Sequence, residues 1–164
     1  MTTSAGVGRL RPILTAAAAA LAVAAVGGTL TDLGPWYQAL AKPWWQPPGP
    51  AFGAIWTVIF ALATLSAVTA WRDARTGATR EWLIGLFALN GFLNILWSLL
   101  FFRLRRPDWA LVEVAGLWMS IALLMVVLWR FSRTACLLLG PYLLWVTIAA
   151  ALDYTVVHLN PPFG

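Results

Sequence analysis

The stretch WALVEVAGLWMSIALLMVVLW at residues 109–129 decides the fold, because its 21 residues contain one charged side chain, Glu113. A helix rises about 1.5 Å per residue, so this run can cross a hydrocarbon core of about 30 Å. Unpaired strand edges are costly in lipid, and the alternating pattern of a β-barrel is absent. Four further apolar runs occupy residues 12–33, 51–71, 82–102 and 134–159. The sequence therefore predicts an all-α membrane protein, a five-transmembrane-helix bundle that forms one domain over residues 1–164.

The composition argues against a soluble domain and against several functions. Of the 164 residues, 61% are hydrophobic and 10% are charged, whereas a soluble domain carries roughly 25% charged residues. The net charge of +5 comes from arginines grouped at the ends of apolar runs. This placement indicates membrane topology, and no nucleic-acid partner is expected. One cysteine and one histidine provide neither a disulfide framework nor a metal cluster, so no metal and no required cofactor are expected.

The first apolar run has two interpretations. Arg9 and Arg11 followed by an alanine-rich stretch also describe a secretory signal peptide. The stretch is longer than the usual apolar region of such a peptide. It also contains a ladder of small residues, which suits close helix packing, at Ala16, Ala20, Ala24 and Gly28. We therefore interpret this run as the first helix.

The connection at residues 31–50 is the one long loop, and it contains five prolines together with Trp36, Tyr37, Trp44 and Trp45. Fixed proline φ angles disfavour a helix and stiffen a loop, so an ordered lid over a cavity is predicted. The other connections are short, so neighbouring helices should be antiparallel. Seven Lys and Arg residues lie on the N-terminal side of the bundle and four on the other. In a bacterial cell membrane, which we expect, the N-terminus is then cytoplasmic.

Tryptophan is unusually frequent, with 11 residues in the chain. Seven of them lie at or near the ends of the apolar runs, where an aromatic belt is expected. Four lie deeper, and position alone does not decide whether they pack helices together or line a ligand pocket: Trp56, Trp97, Trp118 and Trp145.

Polar side chains within the apolar runs indicate a functional site, because lipid offers them no hydrogen-bond partners. We expect Asn90 to form a hydrogen bond between helices and Glu113 to extend to the membrane interface. Asn94 and Asp153 lie within about 12 Å of the ends of their helices, on the side of the membrane that holds the proline-rich loop. Asp153 is expected to line a cavity there, unless Tyr142 or an arginine of the third loop pairs with it.

Helical spacing groups the candidate site residues into two stripes. Trp97 follows Asn94 on one helix face, and Trp145, Ala149 and Asp153 follow one another at intervals of four residues on another. The small Ala149 leaves room for a flat ligand between its neighbours. His158 stands at a helix end, where an interfacial residue is more common than a ligand of a metalloporphyrin.

Three blocks of sequence occur in a fixed order: YQALAKPWWQPP at 37–48 with IWT at 55–57, FLNILWS at 92–98 with FF at 101–102, and PYLLW at 141–145 with LN at 159–160. Together they resemble the signature of the TspO/translocator-protein family of tryptophan-rich sensory proteins, over nearly the whole chain. The resemblance implies a five-helix bundle, usually a homodimer, with a pocket under the first loop. By this resemblance, the pocket is expected to bind porphyrins such as protoporphyrin IX and benzodiazepine-type ligands. The pocket residues implied by motif position are Tyr37, Trp56, Asn94, Trp145 and Ala149.

Two positions depart from the family pattern. Asp153 stands where the family commonly has Asn, which changes the charge of the pocket. The proposed cholesterol motif needs a basic residue after Leu152 and Tyr154, but none follows, and His158 stands where an arginine is expected. Sterol recognition is therefore not expected.

Three functions are compatible with the sequence, which contains no catalytic motif of soluble enzymes. The favoured one is a protein that binds a tetrapyrrole and acts as a sensor, regulator or translocator. A porphyrin-degrading enzyme would use Trp56 or Trp145 as the radical-forming catalytic residue. A proton-coupled exporter of aromatic compounds would use Glu113 or Asp153, but neither carboxylate lies near mid-membrane and no internal repeat is visible.

Overall fold

The computed structural model describes residues 4–160, and these residues form seven α-helices joined by short connections, with no strand among them. Five stretches are long and apolar enough to cross a membrane: Pro12–Leu30, Gly49–Asp73, Gly77–Arg103, Pro107–Trp129 and Arg133–Leu159. The predicted all-α bundle of five transmembrane helices is confirmed. The helices are α1 (Ser4–Leu30), α2 (Pro35–Ala39), α3 (Gly49–Asp73), α4 (Gly77–Ser98), α5 (Pro107–Trp129), α6 (Arg133–Leu138) and α7 (Gly140–Leu159).

Helix α1 packs against α3 and α4 as a member of the bundle. Its close approach to α4 uses positions that the predicted ladder of small residues did not contain. A Cβ at Gly27 would lie 3.7 Å from Oγ of Ser98, and a Cβ at Gly91 would lie 3.0 Å from Cγ2 of Val23. Gly28 has nothing within 4 Å of its Cβ position, so this member of the ladder makes no close packing contact.

Helix α4 ends in a widened turn that the sequence did not predict. Residues Leu99–Arg103 form a π-helical segment, in which the N–H of Leu104 donates to the carbonyl of Leu99 at 2.9 Å. Such segments hold one extra residue and are frequent at functional sites. Arg105 then adopts a φ of 55° and turns the chain towards α5.

The fifth predicted span, at residues 134–159, is interrupted at Leu139, which separates α6 from α7. Pro141 lies in the first turn of α7 and has no N–H to continue the hydrogen-bond ladder of α6. A hydrogen bond connects α6, just before the break, to α3: the hydroxyl of Ser66 donates to the carbonyl of Ala135 at 2.7 Å. Ser132 caps α6 and donates to Oδ2 of Asp73.

The first loop, the third loop and the end of α7 meet on one side of the bundle, as the sequence predicted. The guanidinium of Arg105 lies 5.8 Å from the ring centre of Trp36, and the backbone of Ala41 is hydrogen-bonded to the side chain of Asn160. The first loop is not free of helix, because Pro35–Ala39 form α2. Proline is tolerated in a first helical turn, where its missing N–H would have no partner.

Candidate ligand cavity

A cavity of about 1270 Å³ lies beneath the first loop and is lined by α1, α2, α3, α4, the π-helical segment and α7. All of the predicted site residues are among those that line it: Tyr37, Trp56, Asn94, Trp97, Trp145, Ala149 and Asp153. The structure therefore brings to one place residues that lie more than a hundred positions apart in the sequence.

Aromatic rings form the walls on the side of α3 and α7. Trp56 stacks on Phe60 with ring centres 5.5 Å apart, and it meets the edge of Tyr142 at 6.1 Å. Phe52 meets the edge of Trp145 at 5.6 Å. Rings that support one another at such distances present rigid apolar faces at low entropic cost. This part of the cavity suits a flat aromatic ligand.

The wall on the side of α4 is also aromatic, and here the π-helical segment contributes. Trp97 stacks on Phe101 at 5.2 Å and meets the edge of Phe102 at 5.8 Å. Tyr37 lies against Phe102 at 5.6 Å, so the first loop rests on this cluster. Both phenylalanines line the cavity although they are consecutive in the sequence.

The opposite wall, from α1, was missed by the sequence analysis. It consists of small and aliphatic residues at helical spacing, among them Ala17, Ala20, Ala24 and Gly27. Three of the four members of the predicted ladder of small residues, Ala20, Ala24 and Gly28, thus line the cavity. The pattern of small residues was visible in the sequence, but it was interpreted as a surface for helix packing.

Polar groups on the wall pair with one another and leave two atoms unpaired. Nδ2 of Asn94 lies 3.3 Å from the hydroxyl of Tyr142, and Nε1 of Trp97 donates to Oδ2 of Asp153 at 3.3 Å. Oδ1 of Asp153 and Nε1 of Trp145 are buried and have no hydrogen-bond partner among the side chains that the structure describes. The predicted alternative partners of Asp153, Tyr142 and a loop arginine, are not the ones observed.

The structure separates the remaining polar and aromatic candidates from the cavity. Asn90 donates to Oγ of Ser120 at 2.8 Å, which confirms the predicted hydrogen bond between helices. Trp118 is 38% exposed, donates to Oγ1 of Thr147 at 2.9 Å and does not line the cavity. His158 is exposed and its Nδ1 lies 2.8 Å from the carbonyl of Tyr154, away from the lining residues.

The prediction that Glu113 extends to the membrane interface is wrong. Both of its carboxyl oxygens are buried and have no partner among the residues that the structure describes. Glu113 lies three positions after Ala110 and four before Leu117, and both of these residues are buried. It therefore shares the inward face of α5. The prediction used the distance of Glu113 from the helix end and did not consider which face it occupies.

The lid over the cavity is held by hydrogen bonds of its own. The ammonium of Lys42 donates to the carbonyls of Tyr37, Leu40 and Gln38 at 2.6, 3.1 and 3.3 Å. It also lies 4.5 Å from the ring centre of Tyr37. Nε2 of Gln46 lies 3.3 Å from the hydroxyl of Tyr37, and burial raises the pKa of that phenol. The predicted ordered loop is confirmed.

These observations define a class of protein: an integral multi-pass membrane protein with an aromatic cavity inside a bundle of five apolar helices. The sequence profile of the TspO/MBR family matches residues 15–159. The chain belongs to this family.

Similar proteins come from bacteria, archaea and mammals. The chain is 38% identical to tryptophan-rich protein TspO of Chlorobaculum tepidum, over 86% of this chain and 90% of that protein. It is 35% identical to tryptophan-rich protein TspO of Archaeoglobus fulgidus, over 90% and 98%. Translocator protein of Sus scrofa is 35% identical, over 76% of this chain and 75% of that protein.

Proposed function

We propose that this protein binds a planar tetrapyrrole, such as protoporphyrin IX, in the cavity beneath its first loop and acts as a sensor or translocator of such molecules. The observation that carries the proposal is the size of the aromatic cavity, about 1270 Å³. Pockets for drug-sized ligands have volumes of about 300–1,000 Å³, so this cavity has room for a larger planar molecule. Rings of α3, α4 and α7 are available to stack on it.

The printed names of relatives support a role in sensing or translocation. A relative from Cereibacter sphaeroides, 32% identical over 87% of this chain, is named tryptophan-rich sensory protein, and the relative from Sus scrofa is named translocator protein. For this chain we propose a bacterial cell membrane with the N-terminus in the cytoplasm. The basis is the excess of arginine on the N-terminal side of the bundle.

A titration of the purified protein with protoporphyrin IX in darkness tests the proposal. We expect a saturable shift of the porphyrin absorption band and quenching of tryptophan fluorescence. Ala149→Trp should abolish both signals, because Ala149 provides the space between Trp145 and Asp153 on the cavity wall. Ala115→Trp is the matched control, since Ala115 is exposed on the outer face of α5.

The outcomes distinguish the alternatives. An unsaturable signal, or equal binding by both variants, would contradict a ligand in this cavity. The same samples under illumination test the porphyrin-degrading alternative, which the presence of Trp56 and Trp145 on the wall permits. Bleaching that yields a new product in wild type but not in Trp56→Phe would establish that chemistry in place of simple binding.

A further inference from the structure

The cavity contains an unusual distribution of charge. Among its lining residues that the structure describes, two carry a charged side chain, Lys42 and Asp153. Lys42 directs its ammonium at three backbone carbonyls of the first loop. Its three N–H donors are thus used within the loop, and none remains for the carboxylate of a ligand.

Asp153 differs from Lys42, because one of its carboxyl oxygens has no hydrogen-bond partner among the side chains that the structure describes. It is 2% exposed, accepts one hydrogen bond from Trp97 at Oδ2, and has no partner at Oδ1 among the side chains that the structure describes, those of residues 10 and 12–160. Among these side chains the one ion pair is Arg106–Asp108, in the third loop and the start of α5. None of the described basic side chains forms an ion pair with Asp153.

A buried carboxylate without a cation is costly, and any cation that enters its surroundings is favoured. The low dielectric of a helix bundle screens this attraction poorly, so it acts across the cavity wall without direct contact. If the carboxylate and the cation are about 12 Å apart and the effective dielectric constant is about 20, their Coulomb attraction corresponds to about a tenfold change in Kd.

We propose that the cavity selects aromatic ligands that carry a cationic nitrogen, with Asp153 as the residue that sets this preference. The proposal rests on the proposed function, because it assumes a ligand in the same cavity. It also assigns an orientation to anionic ligands. Carboxylate groups of a tetrapyrrole turn away from Asp153 and towards the loop, where water is accessible.

Three fluorescent probes with the same ring system test the charge preference: pyrenemethylammonium, pyrenemethanol and pyrenecarboxylate. Their affinities are measured for the full-length protein in a non-ionic detergent at a mildly alkaline pH, which favours the ionised carboxyl and leaves the ammonium charged. We expect wild type to bind the ammonium about tenfold more tightly than the alcohol, and the carboxylate most weakly. In Asp153→Asn the three affinities should converge. Protoporphyrin IX, a dianion, should bind this variant more tightly than wild type.

Glu81→Gln is the matched control, because Glu81 is an exposed carboxyl near the start of α4 and does not line the cavity. It should retain most of the preference for the ammonium. Trp97→Phe removes the N–H that donates to Asp153 and leaves the carboxyl in place, so the preference should persist or increase. Loss of the preference in folded Trp97→Phe, or equal binding of the three probes by wild type, contradicts the role of Asp153 even if Asp153→Asn does not fold.

The outcomes separate the two proposals. Equal binding of the three probes by wild type, or an undiminished ammonium preference in folded Asp153→Asn, overturns the role of Asp153. If pyrenemethanol and protoporphyrin IX still bind in that case, the proposed function stands. If neither binds, the ligand cavity itself is refuted.

Discussion

The side chain of Asn160 forms hydrogen bonds between the first loop and the end of α7. Its amide oxygen accepts from the N–H of Ala41 at 2.7 Å, and its amide nitrogen donates to the carbonyl of Ala41 at 2.9 Å. The same nitrogen donates to the carbonyl of Val156 at 2.8 Å, which fixes the side chain on α7. Asn160→Ala removes all three hydrogen bonds and should weaken the attachment of the lid, which the contact of Tyr37 with Phe102 also supports.

The magnitude follows from the two hydrogen bonds that reach the loop. A hydrogen bond contributes about 0.5–1.5 kcal/mol net, and these are partly exposed, so their sum is about 1–2 kcal/mol. The population with a detached loop should therefore rise about 5- to 30-fold. Loss of the lid should speed ligand dissociation by a similar factor, provided that the ligand leaves past the loop.

Hydrogen–deuterium exchange of the peptide that contains Ala41 measures this change, because the amide of Ala41 is itself the donor to Asn160. Asn160→Asp keeps an acceptor and loses both N–H donors, so it should give an intermediate rate. Thr155→Ala is the control, since the hydroxyl of Thr155 bonds within its own helix, to the carbonyl of Ala151. An exchange rate at Ala41 that is the same in Asn160→Ala and wild type would refute this reasoning.

Other predictions test the cavity, the bundle and its orientation. Trp56→Ala and Trp145→Ala should each weaken protoporphyrin IX binding about fivefold, or about 1 kcal/mol per lost aromatic contact. Trp118→Ala is the control, because Trp118 lies outside the cavity, and it should leave the affinity unchanged. Unchanged titrations in both cavity variants would show that the pocket is wrongly assigned. Ser132→Ala removes the cap of α6 and the hydrogen bond to Asp73. It should lower the free energy of unfolding by about 1–2 kcal/mol, measured by denaturation in mixed micelles, and equal stability would contradict the role of this cap. A reporter fused after the last residue should read out on the extracytoplasmic side of a bacterial inner membrane, and a cytoplasmic signal would reverse the proposed orientation.

The five spans could be predicted because the length of an apolar run reflects the thickness of the membrane. The same reasoning does not reveal how hydrogen bonds are arranged within a run. The π-helical segment at Leu99–Arg103 and the break at Leu139 both lie inside stretches of uniform hydropathy. They depend on tertiary contacts, such as the bond between Ser66 and Ala135, that no local pattern encodes.

Residues of the candidate site could be predicted where a polar side chain would raise the free energy in lipid or where the residue belongs to a sequence motif. Asn94 and Asp153 were visible as polar residues at depth, and motif position indicated Trp56. The wall formed by α1 was missed because alanine and glycine are equally suited to helix packing and to lining a cavity. The burial of Glu113 was missed because helix face, rather than distance from the helix end, determines it.

The extra residue in the π-helical segment makes the shape of the cavity depend on chain length as well as on residue type. The widened turn lets the adjacent Phe101 and Phe102 both face the cavity. A family member that is one residue shorter at this point can form an ordinary α-helical turn without a shift of the flanking helix. We expect such a protein to keep the same bundle and to present one ring fewer to its ligand. Single-residue insertions and deletions at this turn are therefore a route by which related proteins can change the width of the cavity while the helices stay in place.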